Sequence, residues 1–463
     1  MGNVIDLVDQ TFFRVERAAE VTNVIQCAWV YDRGADIDGL RQFHHHLRRG
    51  RLSRRIERSP LPFGRHRWVS PSDQPTLEIV ERPWPREAFD TWLGEQANTS
   101  LDAEHGPGWH LAVLPFADGG AGVSLVASHC LTDAVGLCEA LADAVCGHDN
   151  AIGWPAAGSR PRWRALREDA RQTARDIPGI ARAAVAAAQF VRRNRAVGSA
   201  TPPFSKPHSK QPALSTGADD LVRPPMATIF VDANEWDARA QALGGTSNTL
   251  LAAVAARLGE RVGRVTADGS VTLTMAINQR TAGDTRANAI TNVDFTVDPA
   301  PAATDLREIR AATKQALIRS QQEPDERWTL LPLVPLVPER LGRRWVGVAT
   351  NSATSVGSSN IGAVNPAVHR PDGSDADGFA MRSLSVGMSK AMLHQLGGLL
   401  SLLSGRTHGR VFVSVVAYQP GRTNSADELQ QHISGVLSEF ALTTTLRWPS
   451  KYGCSPSEFV RTA

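Results

Sequence analysis

The sequence predicts a mixed α/β protein of two halves joined by a basic crossover. Three observations carry this expectation. The chain has 463 residues, more than one ordinary hydrophobic core needs and enough for two domains of common size. Residues 1–155 and 221–463 each alternate between strand-like and helix-like runs. Residues 156–220 differ from both: ten arginines and three acids lie between Arg160 and Arg195, and a Ser/Pro/Lys stretch of linker composition follows at 199–207.

In the first half, Val24–Val30 reads as a strand, and Leu40, Phe43 and Leu47 mark a helix from Ile37. Two further strands, Trp109–Phe116 and Val123–Ser128, flank a glycine-rich turn suited to a hairpin. Val135, Leu137, Leu141 and Val145 then recur at helical spacing. Residues 156–220 read as a helical crossover plus linker. In the second half, Met226–Val231 and Val271–Ile277 are strand candidates, and Thr246-Ser247-Asn248 can cap a helix carrying Leu250, Leu251, Val254 and Leu258. Val411–Tyr418 is an apolar strand suited to burial on both faces. Ser425-Ala426-Asp427-Glu428 has the capping-box pattern ahead of Leu429, Ile433, Val436 and Leu437.

Composition narrows the function classes. With 42% hydrophobic and 21% charged residues the chain is globular rather than disordered, and a net charge of +3 gives no ground for nucleic-acid binding. The five cysteines, Cys27, Cys130, Cys138, Cys146 and Cys454, are irregularly spaced and form no C-x-x-C. A disulfide framework or zinc site is not expected, and a reducing, cytoplasmic setting is. No signal peptide and no span of about 18 apolar residues is expected. His44-His45-His46 cannot converge on one ion from a helix, where successive side chains point about 100° apart, so they read as surface histidines and no metal is expected. Pro62–Trp68 reads as a loop and edge strand. P-loop, G-x-G-x-x-G, G-x-S-x-G and H-E-x-x-H patterns are absent.

The segment richest in chemistry is Ser128-His129-Cys130-Leu131-Thr132-Asp133-Ala134. A buried strand ends at His129, where an imidazole can turn into a cleft and act as a base near neutral pH. Asp133 opens a helix, where orphan N–H groups favour a carboxylate. The residues alone leave two readings open: a positioned general base, or a core histidine followed by a plain N-cap. Cys130, on the opposite face if the alternation persists, reads as a packing residue.

This segment resembles the H-H-x-x-x-D-G motif of the condensation-domain/acyltransferase superfamily (chloramphenicol-acetyltransferase-like), with most likeness to wax ester synthase/diacylglycerol acyltransferases and polyketide-associated acyltransferases. Ser128 replaces the first histidine and Ala134 the glycine; a glycine-only backbone geometry is thereby excluded at 134. Four other segments resemble the family in the same order: Leu101-Asp102 with Gly106–Trp109, Asn248–Val254, Ala276–Arg280 with Gly283 and Asn288, and Ser359-Asn360-Ile361-Gly362. The D-F-G-W-G segment usual in condensation domains is absent, which favours a free-standing acyltransferase.

The resemblance implies two chloramphenicol-acetyltransferase-like halves, 1–155 and 221–463, enclosing a central tunnel. It implies His129 as general base, Asp133 as a structural carboxylate paired with Arg280, and Ser359, Asn360 and Gly362 near the substrates. The implied reaction moves an acyl group from a thioester, acyl-CoA or carrier-bound, to a hydroxyl in lipid or natural-product metabolism, with no cofactor beyond the thioester. An amide-forming condensation enzyme and a non-catalytic acyl- or partner-binding member are the rival readings. The implied partners are the thioester, an alcohol acceptor and, as a further candidate, an acyl carrier protein. Ile180–Arg195, apolar residues followed by arginines, has the pattern of a basic amphipathic helix, which leaves peripheral membrane contact open beside a solvated crossover helix.

Overall fold

The computed structural model of the protein describes residues 2–71, 75–148, 152–196, 220–322, 326–337, 354–445 and Trp448. The linker expected at 199–207 and Cys454 lie outside the described residues. The first half comprises α1 (Leu7–Ala19), β1 (Thr22–Tyr31), α2 (Ile37–Leu47), a ribbon of β2 (Arg55–Glu57) and β3 (Arg67–Val69), β4 (Leu77–Ile79), α3 (Phe89–Ala97), β5 (Trp109–Pro115), β6 (Ala121–Ser128) and α4 (Ala134–Val145). The long crossover helix α5 covers Arg162–Ala196. The second half comprises β7 (Met226–Asp232), α6 (Ala233–Ala242), α7 (Ser247–Arg261), β8 (Val271–Asn278), β9 (Ile290–Val297), α8 (Arg307–Gln322), β10 (Val356–Ala363), β11 (Gly378–Val386), β12 (Leu399–Thr407), β13 (Arg410–Tyr418), a helix at Ala426–Glu439 and β14 (Thr444–Thr445).

Two mixed sheets organise these elements. The first runs β11-β1-β6-β5-β4 and the second β14-β7-β13-β12-β10-β8-β9. β1 and β6 are central and covered on both faces, which is why they read as nearly continuous apolar runs. Cys27, Trp29 and Tyr31 pack on one face with Leu40 and Phe43 of α2 and Leu137 and Leu141 of α4. Ala28 and Val30 pack on the other with Phe89, Trp92 and Leu93 of α3. The turn between β5 and β6 and the capping of α7 by Thr246, reciprocated by Thr249, have the local form their residues suggested.

One feature crosses the sequence boundary between the halves. β11, drawn from 221–463, pairs antiparallel with β1 along the outer edge of the first sheet. Phe230 and Phe412 of the second sheet enter the same hydrophobic cluster as Trp29 and Phe379. The histidine triplet corrects the surface reading in one place. His44 is buried against Trp109, because α2 lays that side on the sheet, whereas His45 is exposed. Among the described residues no group of side chains could hold a metal ion, and no helix is long and apolar enough to cross a membrane.

Candidate active site

β6 delivers His129 to the junction of the halves. The ladder continues just past the strand, with Ser128 N–H donating to Gly108 O (2.9 Å) and His129 N–H to Asn23 O (2.8 Å). Leu131 N–H then turns back to Ser128 O (2.9 Å). The buried Ser128 hydroxyl accepts from Cys130 N–H (3.2 Å), so this side chain serves the turn. Cys130 is buried, as a packing residue would be, and its thiol donates to Glu16 Oε2 (3.0 Å).

The His129 ring is half-buried and stacks face to face on Phe12 of α1, with centroids 5.1 Å apart and planes 7° from parallel. Its Nδ1 is enclosed and has no hydrogen-bond partner among the described residues. Desolvation holds the imidazole below the usual histidine pKa, against weaker opposing effects of its own carbonyl, Asp133 and Asn288. The ring is therefore neutral at pH 7, the state a proton acceptor needs.

Asp133 serves two elements at once. One oxygen, Oδ1, caps α4 by accepting from Gly136 N–H (2.6 Å). Oδ2 accepts from Arg280 Nη2 (2.7 Å) and from Ala289 N–H (2.8 Å). Both ionic side chains are 3% exposed. The N-cap and ion-pair readings of Asp133 thus hold together. Arg280 also donates to the carbonyls of Arg286 (3.1 Å) and Ala287 (2.9 Å), holding the β8–β9 connection against the histidine turn. Gly136 leaves room for the guanidinium, since a Cβ there would lie 2.8 Å from Arg280 Nη2 and displace it. Ala134 starts α4 without a positive φ, so the missing motif glycine leaves no strain.

A second clamp was not foreseen in the sequence. Asp9 of α1 is fully buried. Its carboxylate accepts from Ala287 N–H (3.0 Å), Asn288 N–H (2.7 Å) and Asn288 Nδ2 (3.1 Å), and Asn288 Nδ2 also donates to His129 O (3.0 Å). Burial pushes the Asp9 carboxyl up to about 6, partly offset by the nearby Arg54. Buried Arg54 donates to Thr285 O (2.8 Å) and to Leu131 O, spanning the same two loops. Glu16 accepts from Asn23 N–H (2.9 Å) and from Cys130, and burial pushes it up to about 7. Asp9, Phe12, Phe13 and Glu16 follow the i, i+3, i+4, i+7 spacing of one helix face. That face is half polar, so hydrophobic periodicity alone does not reveal it.

Ser359, Asn360 and Gly362 lie elsewhere, on β10. Ser359 and Asn360 pair in parallel with Leu403 and Ser404 of β12 before a bulge, where Gly362 takes φ +74°. Asn360 Nδ2 donates to Asn248 Oδ1 (2.5 Å) and its Oδ1 accepts from Gly362 N–H (2.8 Å). Among the described residues no hydrogen bond joins this group to His129 or Asp133.

No protein-family model matches the sequence, and no curated protein does. Solved structures match along almost the whole chain. The first condensation domain of the CDA synthetase is 14% identical over 95% of this chain and 96% of its own, with a TM-score of 0.55. Polyketide synthase associated protein 5 from Mycobacterium tuberculosis is 15% identical over 95% and 99%, with a TM-score of 0.52. The wax ester synthase/diacylglycerol acyltransferase from Marinobacter aquaeolei VT8 is 14% identical over 95% and 98%, with a TM-score of 0.52. The chain has the two-lobed condensation-domain/acyltransferase fold.

Proposed function

We propose that the protein is an acyltransferase that moves an acyl group from a thioester to a hydroxyl acceptor in lipid or natural-product metabolism, with His129 as general base. The observation that carries this reading is the imidazole itself: half-buried, kept neutral by desolvation, and held by backbone on both sides where the two halves meet. Nε2 takes the hydroxyl proton as the acceptor oxygen bonds to the thioester carbonyl carbon. The tetrahedral oxyanion then collapses, the C–S bond breaks, and the departing sulfur recovers the proton from the imidazolium as a free thiol. No side chain is acylated on this route. Asp133 and Arg280 position the turn that carries the base. Ser359, Asn360 and Gly362 are proposed to line the substrate path in a tunnel between the halves, and the donor is acyl-CoA or a carrier-bound thioester. The setting proposed is cytoplasmic.

The likeness to condensation domains as well as to an acyltransferase favours one second reading, an amide-forming enzyme using the same base on an amine. A free-thiol release assay with a panel of acyl-CoAs, run against alcohols and amines, separates the two by which acceptor is consumed. His129→Ala should lower turnover by roughly 10²–10⁴-fold in a folded protein. Near-normal turnover in that variant removes His129 from the mechanism, and no thiol release with any donor leaves the non-catalytic binding reading.

A further inference from the structure

α5 carries an exposed stripe that the proposed chemistry does not use. Trp163, Leu166, Ile177 and Val185 are 64%, 42%, 57% and 58% exposed, four of the nine large hydrophobic side chains exposed among the described residues. They are joined by exposed Ala170, Ala174, Ala181, Ala184 and Ala188. Apart from the adjacent Ala184 and Val185, successive members are three or four residues apart, so they form one line along the helix. From 163 to 188 that line is about 38 Å long.

A row of arginines borders the stripe on one side. Arg167, Arg171, Arg175 and Arg182 are exposed, and none has an acid within ion-pair distance among the described residues. The helix's own acids are engaged elsewhere. Asp169 is buried against Arg67 and Arg160, Asp176 reaches Arg65, and Glu168 pairs with Arg164 and Arg160. Arg175 and Arg182 also border a groove of about 220 Å³ lined by Phe63, Pro332 and Pro335, so apolar surface continues beyond the arginine row.

We infer that α5 docks the protein on an anionic lipid bilayer. The stripe would enter the headgroup–acyl boundary and the arginines would meet lipid phosphates, the arrangement of an interfacial helix. The arginine row specifies negative charge in the partner. The length of the line, with a tryptophan at its start, suits a broad yielding interface, where tryptophan is favoured. The side chains of Phe190, Val191 and Arg193–Ala196 lie outside the described residues, and the inference does not use them. It is independent of the acyl-transfer reading, since it needs no turnover.

The test is flotation of the full-length protein with vesicles of phosphatidylcholine alone or with about one-third phosphatidylglycerol. Binding should require the anionic lipid and weaken with salt. The triple variant R167E/R171E/R175E should bind about 100-fold more weakly, at about tenfold per 1.4 kcal/mol and about 1 kcal/mol per arginine at the surface. I177N/V185N should weaken binding while keeping its dependence on anionic lipid. R422E, at an exposed arginine elsewhere, should bind as the parent does. No binding, equal binding to neutral vesicles, or binding unaffected by the α5 substitutions overturns the inference. So does self-association in sedimentation that I177N/V185N abolishes without any vesicle binding, which would make the stripe a contact between copies.

Discussion

At the scale of single residues, the site depends on keeping one base neutral and its neighbours fixed. Because burial depresses the His129 pKa, the acid limb of kcat/KM should have an apparent pKa below the ordinary value of about 6.5. A limb at or above 6.5 contradicts a desolvated base. Asp9 has the opposite sign. Its folded pKa of about 6 lies above its ordinary 3.8, so its contribution to stability is fully present below about 3.8 and is lost as pH rises through about 6. At about 1.4 kcal/mol per unit, the buried charge costs up to about 3 kcal/mol at neutral pH. Asp9→Asn removes that cost but sets an amide NH₂ against the N–H donors of Ala287 and Asn288, at about 1–3 kcal/mol for each donor left unmatched. The two effects nearly cancel near pH 7. Relative to the parent, the variant should therefore gain stability between pH 4 and pH 7, by up to about 3 kcal/mol in chemical denaturation. Its turnover should still fall, because Asn288 no longer holds the His129 carbonyl in place. A stability difference independent of pH would show that Asp9 is not a buried charge.

At the scale of elements, Asp133 and Arg280 join the β6–α4 turn to the β8–β9 connection. Removing one partner of a buried pair leaves an uncompensated charge, at about 3–5 kcal/mol. Arg280→Met should cost that much, Asp133→Asn a similar amount, and the double variant clearly less than the sum. Additive losses in a double-mutant cycle would show that the 2.7 Å contact carries no coupling. Much of this was legible in the sequence. β1, β5, β6 and α4 announce themselves because buried central strands and an amphipathic helix leave apolar runs of distinct period. Asp133 and Arg280, 147 residues apart, could be joined only through the family resemblance. α1 was not legible, because its inward face includes Asp9, Gln10 and Glu16, polar residues whose partners are loops far along the chain. β10 and β12 were obscured by Ser358, Ser359, Ser401 and Ser404, which weaken any apolar pattern.

At the scale of the whole molecule, β11 decides how the halves depend on each other. Nine residue pairs, from Thr22–Val386 to Val30–Gly378, close the β1 edge of the first sheet with a strand from beyond the crossover. Arg382 of that strand is 2% exposed, donates to Thr228 of β7 (3.1 Å) and pairs with Asp90 of α3. One side chain thus touches both sheets and a helix of the first half. A separately expressed fragment 1–155 would keep α1–α4 but expose the whole β1 edge, flanked by Trp29 and Tyr31. A long apolar unpaired edge is prone to pairing between molecules. The fragment should therefore aggregate or lack a cooperative melt, and the full chain should unfold in one transition, with calorimetric and van't Hoff enthalpies equal. Arg382→Met should lower the stability of both halves together, because the buried strand loses its polar anchor while the Asp90 and Thr228 ends separate. Two resolved transitions in the full chain, of which Arg382→Met moves only one, would mean that the strand exchange is a contact between independent domains rather than part of a shared core.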